Sequence, residues 1–296
     1  MMADRAAWGK GRLAGWDGAG IHASAPQMTF ARAFRSQALR LHRSPLVPLH
    51  VACALVVGMG CGAYFAFAPW DAALGTDAYV QLLGAMMPLM AGIVCGLDVD
   101  ADREATGLAD LLSVPSRRVA LLARIAVLWL MGLAALTLAV TVFSGMLALA
   151  GRDAVDAASS AGAIAGLSLG SVLLYALSLA IALRLGRNAS IAVGAVGLMV
   201  AFFSVGGLAH GLMTGELTAA GSAGVFGFVP LCWAARLGSL AIELAIANGP
   251  LAAAGASGQV LTALVSVGLL CLLATILIVS LLLVWIERFE PVGCQE

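Results

Sequence analysis

The chain has 296 residues, 61% hydrophobic and 11% charged, with sixteen basic and sixteen acidic side chains and a mean hydropathy of +1.00. Soluble domains carry about 25% charge, so a water-soluble globule would lack polar cover and a bilayer is the natural solvent. The balanced charge leaves no basic footprint for nucleic acid. The six cysteines show neither CxxC nor Cys/His spacing, which argues against a zinc site or a disulfide framework.

Residues 1–27 come first. Gly9–Gly20 holds five glycines and no apolar periodicity, so the stretch reads as a disordered extension, dispensable or upstream of the true start. It has no apolar core of the kind a cleavable signal peptide needs. N-terminal sequencing of the native protein distinguishes the two readings.

Residues 28–45 are amphipathic. Phe30, Ala33, Phe34, Ala38 and Leu41 share one helical face, with Arg32, Arg35, Ser36 and Arg43 opposite. The pattern predicts a helix in the headgroup layer, which also anchors the first span.

Residues 46–290 form the membrane domain. Six segments reach the roughly 20 apolar residues that a bilayer crossing needs: 46–68, 78–97, 119–149, 161–185, 189–210 and 259–286. Backbone groups in lipid must pair within the segment, so the expected fold is an all-α membrane protein with six transmembrane helices. Fourteen of the sixteen Lys and Arg fall on the side of the N-terminus; Arg152 and Arg236 alone fall on the other. That bias predicts both termini in the cytoplasm, with residues 291–296 as a cytoplasmic tail. Gly58–Gly62 and Gly166–Gly170 suit close helix packing, within the chain or between copies.

The cytoplasmic loop after the second span carries Asp98, Asp100, Asp102 and Glu104 and then an apolar motif. Residues 102–114 are predicted to form a short helix, with Leu108, Leu111 and Leu112 on one face and Asp102, Arg103 and Asp110 wet. Pro115 ends it. Arg117 and Arg118 anchor the next span, and Arg124 is expected to snorkel back to the headgroups. A magnesium-diphosphate enzyme would want two such acidic clusters, and the loop after span four offers no carboxylate.

An acidic stretch, Gly107 within Thr-Gly-Leu-Ala-Asp-Leu-Leu, then Pro115-Ser-Arg117 and a further Arg124, resembles the cytoplasmic loop of type-2 ABC exporter permeases. There the loop forms a coupling helix that seats on a separate ATPase. The resemblance implies that role for Asp102, Arg103, Glu104, Gly107, Leu108, Leu111, Leu112, Pro115 and Arg117, and extends to Arg124. Relatives often read Gly-Thr where this chain has Thr106-Gly107. His42-Arg-Ser-Pro, Phe67-Ala-Pro-Trp, Tyr79-Val-Gln-Leu-Leu with Pro88, and Leu185-Gly-Arg-Asn-Ala-Ser narrow it further. In that order they are similar to lantibiotic-protection permeases of the MutG type. The resemblance covers most of residues 28–290.

Residues 211–258 form a long outer segment. Its apolar middle, 225–247, is interrupted by Gly227, Pro230 and Gly238, and the family carries a re-entrant hairpin here. Arg236 and Glu243 lie on one helical face, a candidate pair with each other or with a neighbouring chain. Proton coupling would want ionisable groups near the midplane, and the chain has no phosphate-binding GxxxxGK[ST] loop. ATP hydrolysis is therefore expected on a partner.

The resemblance implies a bacterial cytoplasmic-membrane permease that expels a lantibiotic-like peptide and protects the cell. Its partners would be two copies of an ABC ATPase, a second related permease and membrane lipid. This chain would hold no cofactor, ATP and magnesium sitting on the ATPase. An exporter of another amphiphile (drug, lipid or glycan), a prenyl-transfer-type membrane enzyme and a non-transporting scaffold are the alternatives.

Overall fold

A computed structural model describes residues 28–152, 155–204, 208–221, 225–249, 253 and 255–290. The expected extension 1–27 and tail 291–296 lie outside the described residues. All regular structure among the described residues is helical.

The helices are α1 (Phe30–His42), α2 (Leu46–Phe67), α3 (Ala72–Thr106), α4 (Ala109–Leu112), α5 (Arg117–Leu149) and α6 (Ala157–Leu185). They continue with α7 (Arg187–Ser204), α8 (Leu208–Thr214), α9 (Thr218–Gly221), α10 (Trp233–Ala247) and α11 (Ala256–Glu287). Two short 3-10 turns, Val225–Phe228 and Pro230–Cys232, lead into α10. Seven segments are long and apolar enough to cross a membrane, which gives the chain multi-pass transmembrane character. Six of them coincide with the predicted spans. The seventh, Pro230–Ala247, falls where the hairpin is expected.

The second span outgrows its prediction at both ends. Asp71 caps α3 by accepting from the backbone N–H of Ala73 and Leu74. At the other end the acid-rich stretch stays helical to Thr106, where Gly107 adopts a left-handed φ of 62°. α3 is the centre of the bundle: 67% of its apolar window is buried, against 11% for α11, which lies at the periphery.

α2 and α5 run parallel, with Gly58 against Ala139 and Val142, and Gly62 against Phe143 and Met146. α3 runs against α5, held by the Tyr79 hydroxyl donating to the Ala139 carbonyl and by Tyr79 stacked on Phe143 at 3.9 Å. Twelve residues back from Gly58, Leu46 is level with residues 127–130 of α5. Residues 117–126 of α5 therefore overshoot the start of α2, by about 15 Å at 1.5 Å per residue. α1 lies along this overhang, with Arg32, Arg35, Ser36 and Arg43 exposed; of its expected apolar face Ala33 and Leu41 are buried, Phe34 and Ala38 half-buried and Phe30 exposed.

The seventh apolar segment is unlike the others. Leu231, just before α10, meets Gly197 beside Pro88, halfway along α3, while Ala241 meets Gly162 at the start of α6. α10 thus begins at mid-depth and ends level with the starts of α3, α6 and α11. Its backbone presses on its neighbours where they lack side chains: a Cβ on Gly84 would lie 2.2 Å from Ala235 Cα, and Gly166 and Gly170 face Leu237 and Ala234 as closely. Both predicted glycine pairs are consumed within the chain, Gly58–Gly62 by α5 and Gly166–Gly170 by α10.

Candidate functional site

Two polar clusters lie at opposite ends of α3. At the Arg-rich end, Asp98 and Asp102 stand one turn apart on a single face. Arg124 on α5 donates from Nε to Asp98 Oδ2 at 2.5 Å, from Nη1 to Asp102 Oδ2 at 2.7 Å and from Nη2 to the Asp98 carbonyl at 3.0 Å. Arg40 on α1 reaches Asp98 Oδ1 at 2.7 Å and Asp102 Oδ1 at 3.5 Å. Two carboxylates face two guanidiniums, so the cluster is neutral and binds three helices together. Arg124 is 2% exposed and Asp102 3%. The expectations that Asp102 is wet and that Arg124 snorkels are both corrected: each charge satisfies the other, so neither needs water. Removing one partner of such a buried set costs about 3–5 kcal/mol.

Beyond this lock the chain makes an elbow. The expected helix over 102–114 is instead the last turn of α3, a break at Gly107 and Leu108, and the single turn α4. Leu108 has a left-handed φ of 68°, unusual for a side chain with a Cβ, and is 1% exposed. Leu111 is 2% exposed, and Leu112 is half-buried against the same core. The leucine face therefore points into the bundle, because the overhanging ends of α3 and α5 leave apolar surface that α4 covers. The outward face carries Arg103, Glu104, Gly107, Asp110 and Pro115, all exposed. Arg103 donates to the Leu183 carbonyl at 3.1 Å, Arg117 to the Phe289 carbonyl at 3.0 Å, and Arg187 pairs with Asp100 at 2.7 Å. Those three contacts fasten the elbow to α6, to the end of α11 and to α7.

At the other end, one buried carboxylate is held by neutral groups. Asp77 accepts from Gln81 Nε2 at 2.8 Å and from the Ser239 hydroxyl, and Gln81 also lies 2.9 Å from Thr218 Oγ1. Arg236 and Glu243 are both buried, but they do not form an ion pair with each other among the described residues. They grip α9 instead. Glu243 accepts from the N–H groups of Ala219 and Ala220 at 2.6 and 2.8 Å, and Arg236 donates to the Ala219 carbonyl at 2.8 Å. This cluster fixes α9 against α3 and α10.

Sequence reasoning singled out Arg236 and Glu243 and missed Asp77, Gln81 and Ser239. The usable signal was the four-residue spacing of Asp77 and Gln81 at the head of an apolar run. Arg40 was likewise hidden, one more arginine in a basic helix.

Compared with known protein families and with curated proteins, the chain matches none.

Proposed function

We propose that the chain is the permease subunit of an ATP-driven exporter, working with a separate ATPase and a second permease, and that its cargo is a lantibiotic-like amphipathic peptide. The observation that carries the reading is the two-sidedness of α4. Its inner face, Leu108 and Leu111, is locked in the bundle, while its outer face is polar and open. A protein that pushes on the outer face would move α3 and α5 as a unit, because Arg124, Asp98 and Asp102 bind them below the elbow. That is what a coupling element requires.

The topology in this reading is six crossings with α10 entering and leaving on one side, which keeps both termini together. The fourteen-to-two bias of Lys and Arg favours the cytoplasm for that side. The peptide cargo and the bacterial cytoplasmic membrane rest on the family resemblance. The enzyme alternative is weakened because Asp98 and Asp102 already satisfy Arg124 and Arg40.

Docking falls to Arg103, Glu104, Gly107, Asp110 and Pro115 rather than to the leucines. Glu104→Arg with Asp110→Arg should leave membrane insertion intact and reduce ATPase recovered with the tagged chain about tenfold or more, a loss of about 1.4 kcal/mol or more. Unchanged recovery would refute the docking face.

A further inference from the structure

A cavity of about 310 Å³ lies between α2, α3, α5 and α6, apart from both polar clusters. Its wall is apolar apart from the Cys53 thiol and two polar-tipped side chains, His50 and Tyr175, which are 4% and 1% exposed. Each holds a buried polar atom without a hydrogen-bond partner, His50 Nε2 and the Tyr175 hydroxyl. His50 Nδ1 lies 2.8 Å from the Leu46 carbonyl. A carbonyl only accepts, so Nδ1 carries the proton, and in the neutral ring Nε2 offers a lone pair.

His50 and the Tyr175 hydroxyl meet α5 at one level. Eight residues back from Gly58 on α2, and from its Ala139–Val142 contact on α5, His50 comes level with residues 131–134. Gly132 is the residue whose missing Cβ makes room for the Tyr175 hydroxyl, 2.3 Å from where that Cβ would stand. The mouth is on the flank of the bundle, where Ala52 and Val56 are exposed.

We propose that this cavity binds a lipophilic alcohol that enters sideways from the bilayer, with its hydroxyl between His50 and Tyr175. Leaving a buried polar group unmet is costly, and the two groups together ask for one head that donates to nitrogen and accepts from a phenol. A hydroxyl does both. An alkane does neither, and an ether or ketone leaves the imidazole lone pair unmet. An ammonium head finds no carboxylate among the lining residues. A carboxylate finds no cation there, and Arg124 and Arg40 are already satisfied by Asp98 and Asp102. The volume sits at the lower end of the 300–1,000 Å³ typical of small-molecule sites. A lone water would have only these two partners in an otherwise apolar chamber. The proposal is independent of the transport reading.

The test uses the full chain in phosphatidylcholine nanodiscs with a diazirine-bearing hexadecanol, the labelled residues being mapped by mass spectrometry. Label should concentrate on the cavity walls of α2 and α3 and be displaced by excess hexadecanol but not by hexadecane. Tyr175→Phe should weaken hexadecanol competition about fivefold. Ala52→Trp, at the exposed mouth, should bring cavity labelling to background with thermal stability unchanged, and it decides the matter if Tyr175→Phe does not fold. Label spread equally over the peripheral α11, equal competition by hexadecane, or unaltered labelling in Ala52→Trp would overturn the proposal and leave water as the occupant.

Discussion

The two ends of α3 bury carboxylates by different means. At the Arg-rich end Asp98 and Asp102 meet two full positive charges, and the cluster joins α1, α3 and α5. At the other end Asp77 meets an amide and a hydroxyl, while Glu243 meets two backbone N–H groups. The first arrangement fails badly when one member is lost, because the remainder is an uncompensated buried charge. In the second, Asp77 is held by neutral groups alone, so an uncharged side chain of the same shape is tolerated at that position. One end is a lock between long helices; the other is a clasp on a short segment.

Arg124→Leu should be the most damaging change. It leaves two carboxylates with Arg40 as their one cation, and a loss of about 3–5 kcal/mol is expected, read as a large fall in the midpoint of thermal unfolding in detergent. Asp102→Asn added to Arg124→Leu leaves the Arg40–Asp98 pair balanced and should recover much of that loss; no recovery would break the charge-balance account. Glu243→Ala comes next. It leaves the N–H groups of Ala219 and Ala220 without their acceptor, at a cost of about 1–3 kcal/mol, and hydrogen exchange should rise at α9 while the Arg-rich end stays protected. Asp77→Asn should cost less than about 1 kcal/mol, since an amide keeps the shape and can still pair with Gln81 and Ser239. A loss as large as that of Arg124→Leu would erase the distinction between the two ends.

The smallest effect belongs to the exposed cap of α6. Asp156 accepts from the Ser159 N–H at 3.2 Å, and that hydrogen bonding with Ser159 holds its carboxyl below the usual carboxylate range. A depressed folded-state value means the cap contributes above the unfolded-state value and is lost as pH falls through the folded one. Protection against hydrogen exchange at Ser159 and Ser160, taken relative to the intrinsic rate at each pH, should therefore fall only in acid below the usual carboxylate range, and it should not change between pH 6 and 8.

The long helices were legible because apolar length alone specifies them. The predicted 46–68 and 119–149 fall within two residues of α2 and α5. What was illegible depended on partners distant in sequence. Nothing near Asp102 says that Arg124 and Arg40 will bury it, so a composition window reads an acid-rich stretch as a wet loop and stops the second span at Leu97. Leu108 shows the same limit, for its left-handed backbone persists only because the overhanging ends of α3 and α5 cover it. The seventh apolar segment fell between these cases: Gly227, Pro230 and Gly238 signalled an interruption. The depth of α10 depends on Gly84, Gly166 and Gly170 in two other helices.

The proposed coupling role of the elbow is tested most directly by a photoreactive phenylalanine in place of Asp110, at the exposed face of α4. Irradiation of native membranes should give one cross-linked product in which the partner is an ATP-binding chain. Cross-linking to lipid alone, or labelling of position 110 from outside intact cells by an impermeant reagent, would contradict the account.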